Sequence, residues 1–91
     1  MSKQVIWTNQ FKKDYKLVIK RGLDINKLDL VIRLLVLDEP LPECYKDHEL
    51  SGNWKGFREC HIEPNWLLIY KIYNNNLCLS LTRTGSHSDL F

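Results

Sequence analysis

The sequence predicts an α+β domain in which two helices cover one face of a small antiparallel sheet. Three observations lead to this class. Apolar residues follow helical spacing in residues 10–37, they alternate with polar residues from about residue 54 onward, and a short β-branched and aromatic segment, residues 4–8, precedes the helices. The order is therefore β-α-α-β-β-β, and short turns between the last three strands favour antiparallel pairing.

The first helix is predicted over residues 10–20, directly after the first strand. Asn9 is a favourable N-cap, and Gly22 ends the helix. The apolar positions that we expect to be buried are Phe11, Tyr15, Val18 and Ile19. On the outer face, lysines recur at intervals of four and form a cationic stripe, Lys12, Lys16 and Lys20.

The second helix is predicted over residues 25–37, with Asp24 as its N-cap. Its expected buried face consists of Leu28, Val31, Ile32 and Leu35. Pro40 and Pro42 lie in the loop that follows. Because the residue before a proline avoids the helical conformation, these prolines mark the end of the helical half.

Three strands are predicted over residues 54–62, 66–73 and 77–84, joined by turns at residues 63–65 and 74–76. The turn sequences, Glu-Pro-Asn and Asn-Asn-Asn, are typical of tight connections. The helices are expected to cover one face of this sheet and to leave the other face open.

Alternation assigns side chains to the two faces of the sheet. Cys60 and Ile62 are apolar and should face the helices, which places Glu59 and His61 on the open face. In the last strand the expected core residues are Leu77, Leu79 and Leu81. Strict alternation would put Arg83 on the same side, so it reaches the open face only beyond the core edge or after a bulge.

Composition indicates a single globular domain over residues 1–91, with 44% hydrophobic and 26% charged residues. The polar N-terminus has no signal-peptide pattern, and no segment approaches the about 18 apolar residues of a membrane span, so we expect a cytoplasmic protein without a membrane partner. The three cysteines lack CxxC spacing, which argues against a disulfide framework or a zinc ribbon and favours buried thiols.

The net charge of +2 hides an asymmetry. Residues 1–37 carry eight Lys or Arg against three Asp, whereas residues 38–91 carry five against eight acidic residues. The basic half could attract a polyanion such as RNA.

Three histidines in the second half, His48, His61 and His87, are the residues best suited to proton transfer near neutral pH. Internal cleavage of RNA needs a base for the 2′-OH, a cation for the phosphate and an acid for the leaving 5′ oxygen. We expect His87 to be the acid and either His48 or His61 to be the base. Arg83 is the expected phosphate ligand and Arg58 is a second candidate, although Arg58 is equally suited to an ion pair at the sheet edge.

Aromatic side chains supply ring faces for unstacked bases. Trp66 and Phe91 are expected to bind substrate in this way, whereas Trp54 is expected to have a structural role. A metal site is not expected, because spacings of 13 and 26 residues between the histidines match no common zinc pattern. No cofactor is expected either.

Three segments carry a family resemblance: residues 45–50 (YKDHEL), 52–66 (GNWKGFRECHIEPNW) and 83–91 (RTGSHSDLF). With the Phe-Lys-Lys-Asp opening of the first helix, they resemble the YafQ branch of the RelE-type bacterial toxins. The resemblance implies a RelE-like fold and a metal-independent endoribonuclease, or mRNA interferase, that cuts messenger RNA in the ribosomal A site. It places His48, His61, His87, Trp66 and Phe91 at active-site positions. Asn65 departs from the family's Asp, and an amide cannot take a proton.

The resemblance also implies partners. These are the 70S ribosome with its messenger RNA, a cognate antitoxin that holds the toxin inactive, and operator DNA that is contacted only through the antitoxin. Lys12 and Lys16 then become candidates for contact with ribosomal RNA, in place of a merely solvated helix face. Two alternatives stay open: a catalytically weak homologue that acts as antitoxin-binding module and co-repressor, favoured by Asn65, and a ribosome-independent ribonuclease.

Overall fold

The computed structural model describes residues 3–91, in which five strands form one sheet. The strands are β1 (Gln4–Trp7), β2 (His48–Glu49), β3 (Arg58–Glu63), β4 (Trp66–Tyr73) and β5 (Cys78–Gly85), in the spatial order β1-β5-β4-β3-β2. β1 runs parallel to β5, and all other neighbours are antiparallel. The helices are α1 (Asn9–Lys20), α2 (Ile25–Val36) and the short α3 (His87–Leu90). The α+β class is confirmed, while β2 and α3 were not predicted.

Side-chain oxygens begin both long helices. Thr8, with an extended backbone, is the N-cap of α1, and its hydroxyl accepts a hydrogen bond from Phe11 N (2.9 Å), so the prediction of Asn9 was wrong by one residue. Asp24 is confirmed as the N-cap of α2, because its carboxylate accepts from Asn26 N (3.1 Å).

Helices α1 and α2 pack on one face of the sheet, and the main core lies between them. It consists of Phe11, Val18, Leu28, Val31, Leu35, Cys60, Ile62, Trp66, Leu68, Tyr70, Leu79 and Leu81. Four predicted core residues lie outside this set, of which Tyr15 and Ile32 are partly buried and pack against it. Ile19 is 51% exposed because it points about 100° away from the buried Val18 on α1, and Leu77 is 57% exposed because it lies in the turn before β5.

The second face of the sheet is not open, contrary to the expectation. α3 and the segment between β2 and β3 cover Leu67 and Ile69, which form a second buried cluster with Leu90. Trp54 and Phe57 pack against this cluster. Trp54 lies in a single turn of 3-10 helix, Gly52–Trp54, and not in the strand that the sequence predicted.

A bulge in β5 determines which way Arg83 points. Tyr70 pairs with Leu81 and Ile69 pairs with Arg83, so Thr82 is the extra residue. The register therefore places Arg83 on the second face, and of the two routes that the sequence analysis left open, a bulge is the one observed.

Of the three cysteines, Cys60 and Cys78 are buried as expected, but Cys44 is exposed. Burial raises the pKa of the Cys60 thiol well above its ordinary value, so this group stays protonated. Among residues 3–91 no helix has the length and apolar content to cross a membrane.

Candidate active site

The three histidines, far apart in the sequence, lie side by side on the second face of the sheet. The ring centres of His48 and His61 are 6.4 Å apart, and those of His61 and His87 are 5.8 Å apart. Strand pairing causes this: His48 lies opposite Glu59 on β3, and His61 lies two residues further along the same face. His87 joins them because β5 ends at Gly85, across β4 from His61, and leads directly into α3.

A buried carboxylate lies beneath two of the rings. Glu59 is 5% exposed, and its Oε1 is 3.4 Å from Nε2 of His61 and 4.0 Å from Nε2 of His48. A carboxylate in this position orients an imidazole and stabilises the imidazolium that forms when the ring takes up a proton. The sequence placed Glu59 on this face but did not single it out. The sequence feature that could have identified Glu59 is its spacing of two residues from His61, which puts both side chains on one face of the strand.

The ring of His48 has a fixed orientation. Its Nδ1 is 2.7 Å from the carbonyl oxygen of Lys46. Because a carbonyl oxygen only accepts, Nδ1–H must be the donor, and Nε2 then faces Glu59.

Asn65 lies in the turn between β3 and β4 and contacts His87. Its Oδ1 is 3.4 Å from both the backbone N and Nδ1 of His87. The amide oxygen can accept a hydrogen bond from Nδ1–H, which leaves Nε2 of His87 to face substrate. Asn65 is thus placed where the family resemblance puts a carboxylate, but it contributes no charge.

An exposed aromatic ring continues the row of histidines. Phe91 is 59% exposed, its ring centre lies 6.4 Å from that of His87, and Trp54 meets it edge-on at 6.0 Å. Trp54 also packs against Phe57 at 5.4 Å, which agrees with its expected structural role. Phe91 is therefore available to stack on a base, as expected.

Trp66 cannot serve as a stacking surface, so the expected substrate contact is wrong. The residue is 2% exposed, and its Nε1 donates a hydrogen bond to Oγ1 of Thr84 (3.0 Å). As the first residue of β4, it belongs to the alternating set that faces the helices. Its ring fills the main core and not the histidine surface.

Arg58 also lies away from the histidines. Its guanidinium donates to Asp47 (Nη2 to Oδ2, 2.8 Å), and the hydroxyl of Tyr70 donates to the same carboxylate. Since Arg58 precedes Glu59 on β3, it points to the opposite face. The alternative of an ion pair at the sheet edge is therefore the observed one, and the prediction of a phosphate ligand is wrong.

Arg83 lies on the second face, but its guanidinium is already paired. Nε and Nη2 donate to the two carboxylate oxygens of the buried Asp14 on α1, at 2.9 and 3.2 Å. Asp14 also accepts a hydrogen bond from the backbone N–H of Thr84 (3.2 Å). This N–H is not bonded to β1, because β1 ends opposite Leu81. The ion pair links α1 to β5. The carboxylate of Asp14 also neutralises the positive charge of Arg83 that would otherwise attract a phosphate.

The lysine stripe is exposed along α1, with Lys12 and Lys16 on its outer surface. Within residues 3–91 neither lysine takes part in a salt bridge, so both charges are available to a polyanion. In the same described part of the chain, no group of three or more His, Cys, Asp and Glu side chains has the geometry to hold a metal ion.

Comparison with known proteins defines the class of this protein. The chain is a bacterial toxin of the type II toxin–antitoxin class, since the family model described as "Bacterial toxin of type II toxin-antitoxin system, YafQ" matches residues 3–91. It belongs to the YafQ family, which confirms the resemblance seen in the sequence.

Three relatives illustrate how close the match is. The "mRNA interferase toxin YafQ" of Escherichia coli K12 is 45% identical over all of this chain and 98% of its own length. The crystal structure of the E. coli DinJ–YafQ toxin–antitoxin complex contains a chain that is 44% identical, with a TM-score of 0.91 over 100% of this chain and 99% of that one. A metal-bound toxin from Helicobacter pylori is 43% identical, with a TM-score of 0.90 over the whole of both chains.

Proposed function

We propose that this toxin is an endoribonuclease that cleaves messenger RNA on the ribosome, with His48, Glu59, His61 and His87 as its active site. The observation that carries the proposal is the row of three imidazoles over a buried carboxylate. The naming of the E. coli relative as an mRNA interferase supports it. The site of action is then the cytoplasm, where ribosomes translate.

Two of the histidines perform the proton transfers. His61 takes the proton of a ribose 2′-OH, and the oxygen attacks the adjacent phosphorus. The bond from phosphorus to the 5′ oxygen breaks as His87 donates a proton to that oxygen, which leaves a 2′,3′-cyclic phosphate and a 5′-OH. The chemistry needs no redox partner and consumes no other reactant.

The spacing of the rings suits this assignment. An in-line displacement with a hydrogen bond of about 3 Å at each end requires the acid and the base to lie roughly 6–9 Å apart. The ring centres of His61 and His87 are 5.8 Å apart, and nitrogens on the far sides of the two rings lie farther apart than the centres, so the pair can flank one phosphate. Glu59, 3.4 Å from Nε2 of His61, favours a tautomer in which Nδ1 is free to accept the proton.

His48 supports the pair as a cation. Its Nδ1–H is held by Lys46 O, and a proton on Nε2 would face Glu59. With Arg58 and Arg83 both paired to aspartates, imidazolium groups provide the positive charge beside the phosphate.

The ribosome is the proposed carrier of the substrate. The unpaired lysines of α1, including Lys12 and Lys16, offer a cationic surface to ribosomal RNA, and Phe91 offers a ring face to a messenger base. Binding to the ribosome would present the messenger in one orientation, so free RNA should be a poor substrate.

A cognate antitoxin is the second proposed partner, as the E. coli relative is seen with DinJ. An acidic or amphipathic antitoxin segment would complement the basic half of this chain. Operator DNA would be contacted by the antitoxin and not by the toxin.

Primer extension on messenger RNA tests the activity, in cells that express this chain without an antitoxin. We expect in-frame cuts and growth arrest with the wild type, and neither with His87→Ala. Ser88→Ala is the matched control, because it changes the neighbouring exposed residue of α3 and should leave cleavage intact. Cuts that persist in His87→Ala, or no cuts by folded wild type, would overturn the nuclease assignment and favour a binding module.

Purified ribosomes separate the remaining alternatives. We expect cleavage of a messenger bound in programmed ribosomes and none of the same RNA when it is free. Equal cleavage of free RNA would identify a ribosome-independent ribonuclease. A chelator selective for transition metals should leave the rate unchanged while Mg²⁺ keeps the ribosomes intact, and a loss that zinc or copper restores would refute the metal-independent mechanism.

A further inference from the structure

Helix α3 carries His87 and is directly followed by Phe91, although it has only four residues. A single helical turn is not stable alone, because nucleation fixes several residues for one hydrogen bond. The position of His87 therefore depends on what ties α3 to the rest of the fold. Leu90 provides an apolar anchor in the second cluster, but one buried side chain leaves rotation of the turn unrestrained.

A two-pronged ion pair supplies the missing restraint. Arg21, immediately after α1, donates from Nη1 to Oδ2 of Asp89 (2.6 Å) and from Nη2 to Oδ1 (3.2 Å). Oδ2 of Asp89 also accepts from Ser86 N (2.9 Å), which closes a capping box at the start of α3. These bonds hold the pKa of Asp89 far below its usual range, so the carboxylate stays charged at any working pH.

The end of β5 packs directly on the same carboxylate. A Cβ added at Gly85 would lie 2.9 Å from Oδ2 of Asp89, and the φ of Gly85 is +154°. Asp89 thus lies between the guanidinium of Arg21 and the backbone of Gly85. The two hydrogen bonds from the guanidinium of Arg21 to the carboxylate of Asp89 define direction as well as distance. They therefore fix the rotation of α3.

We propose that Arg21 and Asp89 are positioning residues for RNA cleavage, because their ion pair holds α3 where His87 meets its partners His61 and Asn65. The inference rests on the proposed nuclease function. Neither residue belongs to the row of histidines, and the pair joins positions 68 apart in the chain.

The pair acts on position more than on global stability. The side chains of Arg21 and Asp89 are 44% and 26% exposed, and exposed ion pairs contribute little to unfolding free energy. Catalysis is far more sensitive, since a displacement of about 1 Å can cost roughly 100-fold in rate. Loss of the pair should therefore lower the rate of cleavage without unfolding the protein.

Steady-state cleavage kinetics on programmed ribosomes test the inference with full-length protein. For Arg21→Ala and Asp89→Ala we expect kcat to fall about 10- to 100-fold with KM changed less than about twofold. Arg21→Lys keeps one prong and should recover part of the rate. Arg33→Ala is the matched control: it removes an exposed arginine on α2 that takes part in no salt bridge within residues 3–91, and it should cleave normally.

Two further readouts separate the outcomes. In NMR spectra, Arg21→Ala should shift and broaden the imidazole signals of His87 while those of His48 stay in place.

Wild-type rates in Arg21→Ala and Asp89→Ala, together with an inactive His87→Ala, would overturn the positioning role and leave the nuclease intact. A loss confined to KM would also overturn it, as it would make Arg21 a ribosome contact. An active His87→Ala would overturn the function on which the inference rests.

Discussion

Replacing Trp66 with phenylalanine distinguishes a core role from a substrate role for this residue. The indole is 2% exposed and donates to Oγ1 of Thr84, which in turn donates to Leu67 O (2.7 Å). A phenyl ring would leave a void on the order of 40 Å³, which costs about 1 kcal/mol at the usual value per unit volume. The lost hydrogen bond to Thr84 adds about 1 kcal/mol. We therefore expect the free energy of unfolding to fall by about 2 kcal/mol.

Urea and thermal unfolding followed by circular dichroism measure this change, in a His87→Ala background that avoids toxicity. For a domain of this size, about 2 kcal/mol corresponds to a Tm lower by roughly 8–16 °C. Active protein carrying only Trp66→Phe should cleave normally when assayed well below its Tm, because the ring does not touch the histidine surface.

Phe91→Ala is the opposite control, since that ring is 59% exposed. It should change the free energy of unfolding by less than about 0.5 kcal/mol. Cleavage should weaken by the equivalent of about 1–3 kcal/mol of base stacking. Unchanged unfolding of Trp66→Phe, combined with weaker substrate binding, would refute the assignment of Trp66 to the core.

Three further predictions concern α3 and its surroundings. Asn65→Asp places a carboxylate beside His87, which would hold Nδ1–H by a charge-assisted hydrogen bond; the cleavage rate should rise, and an unchanged rate would contradict the contact. Gly85→Ala should displace Asp89 and lower kcat as Arg21→Ala does, and a normal rate would show that the close approach is not restrictive. Asp89 is protonated more readily in the unfolded chain than in the folded protein, so stability falls as pH drops through about 4. In Asp89→Asn the Tm should therefore decline less steeply between pH 5 and pH 2, and an equal slope would contradict the ion pair.

Local patterns in the sequence were sufficient for α1, α2 and the four longer strands and for the two faces of β3, but not for the short elements β2 and α3. Cys60 and Ile62 face the helices while Glu59 and His61 face away, as alternation predicted, because side-chain direction in a strand follows directly from position. The same logic allowed Arg83 to reach the second face either beyond the core edge or after a bulge, and β5 contains the bulge. The family resemblance was carried by motifs around the histidines and was confirmed by comparison.

Partner choice was beyond the sequence. Arg83 was the expected phosphate ligand and Arg58 was suited to a phosphate or to an ion pair, but Asp14 and Asp47 bind them. The pair of Arg83 with Asp14 joins residues 69 apart. The residue type of Trp66 does not distinguish a stacking ring from a core ring, and the helices packed over β4 bury it on the face that alternation along the strand gives it.

By itself, then, the sequence determined the two long helices, the four longer strands, the two faces of β3 and the toxin family, because these depend on local spacing and residue type. Only the tertiary structure brought Glu59 beneath the histidines, paired the arginines, and held the single turn of α3 by Arg21 and Asp89. Such contacts join residues that are distant in the chain. They form only when the whole sheet and both helices are in place.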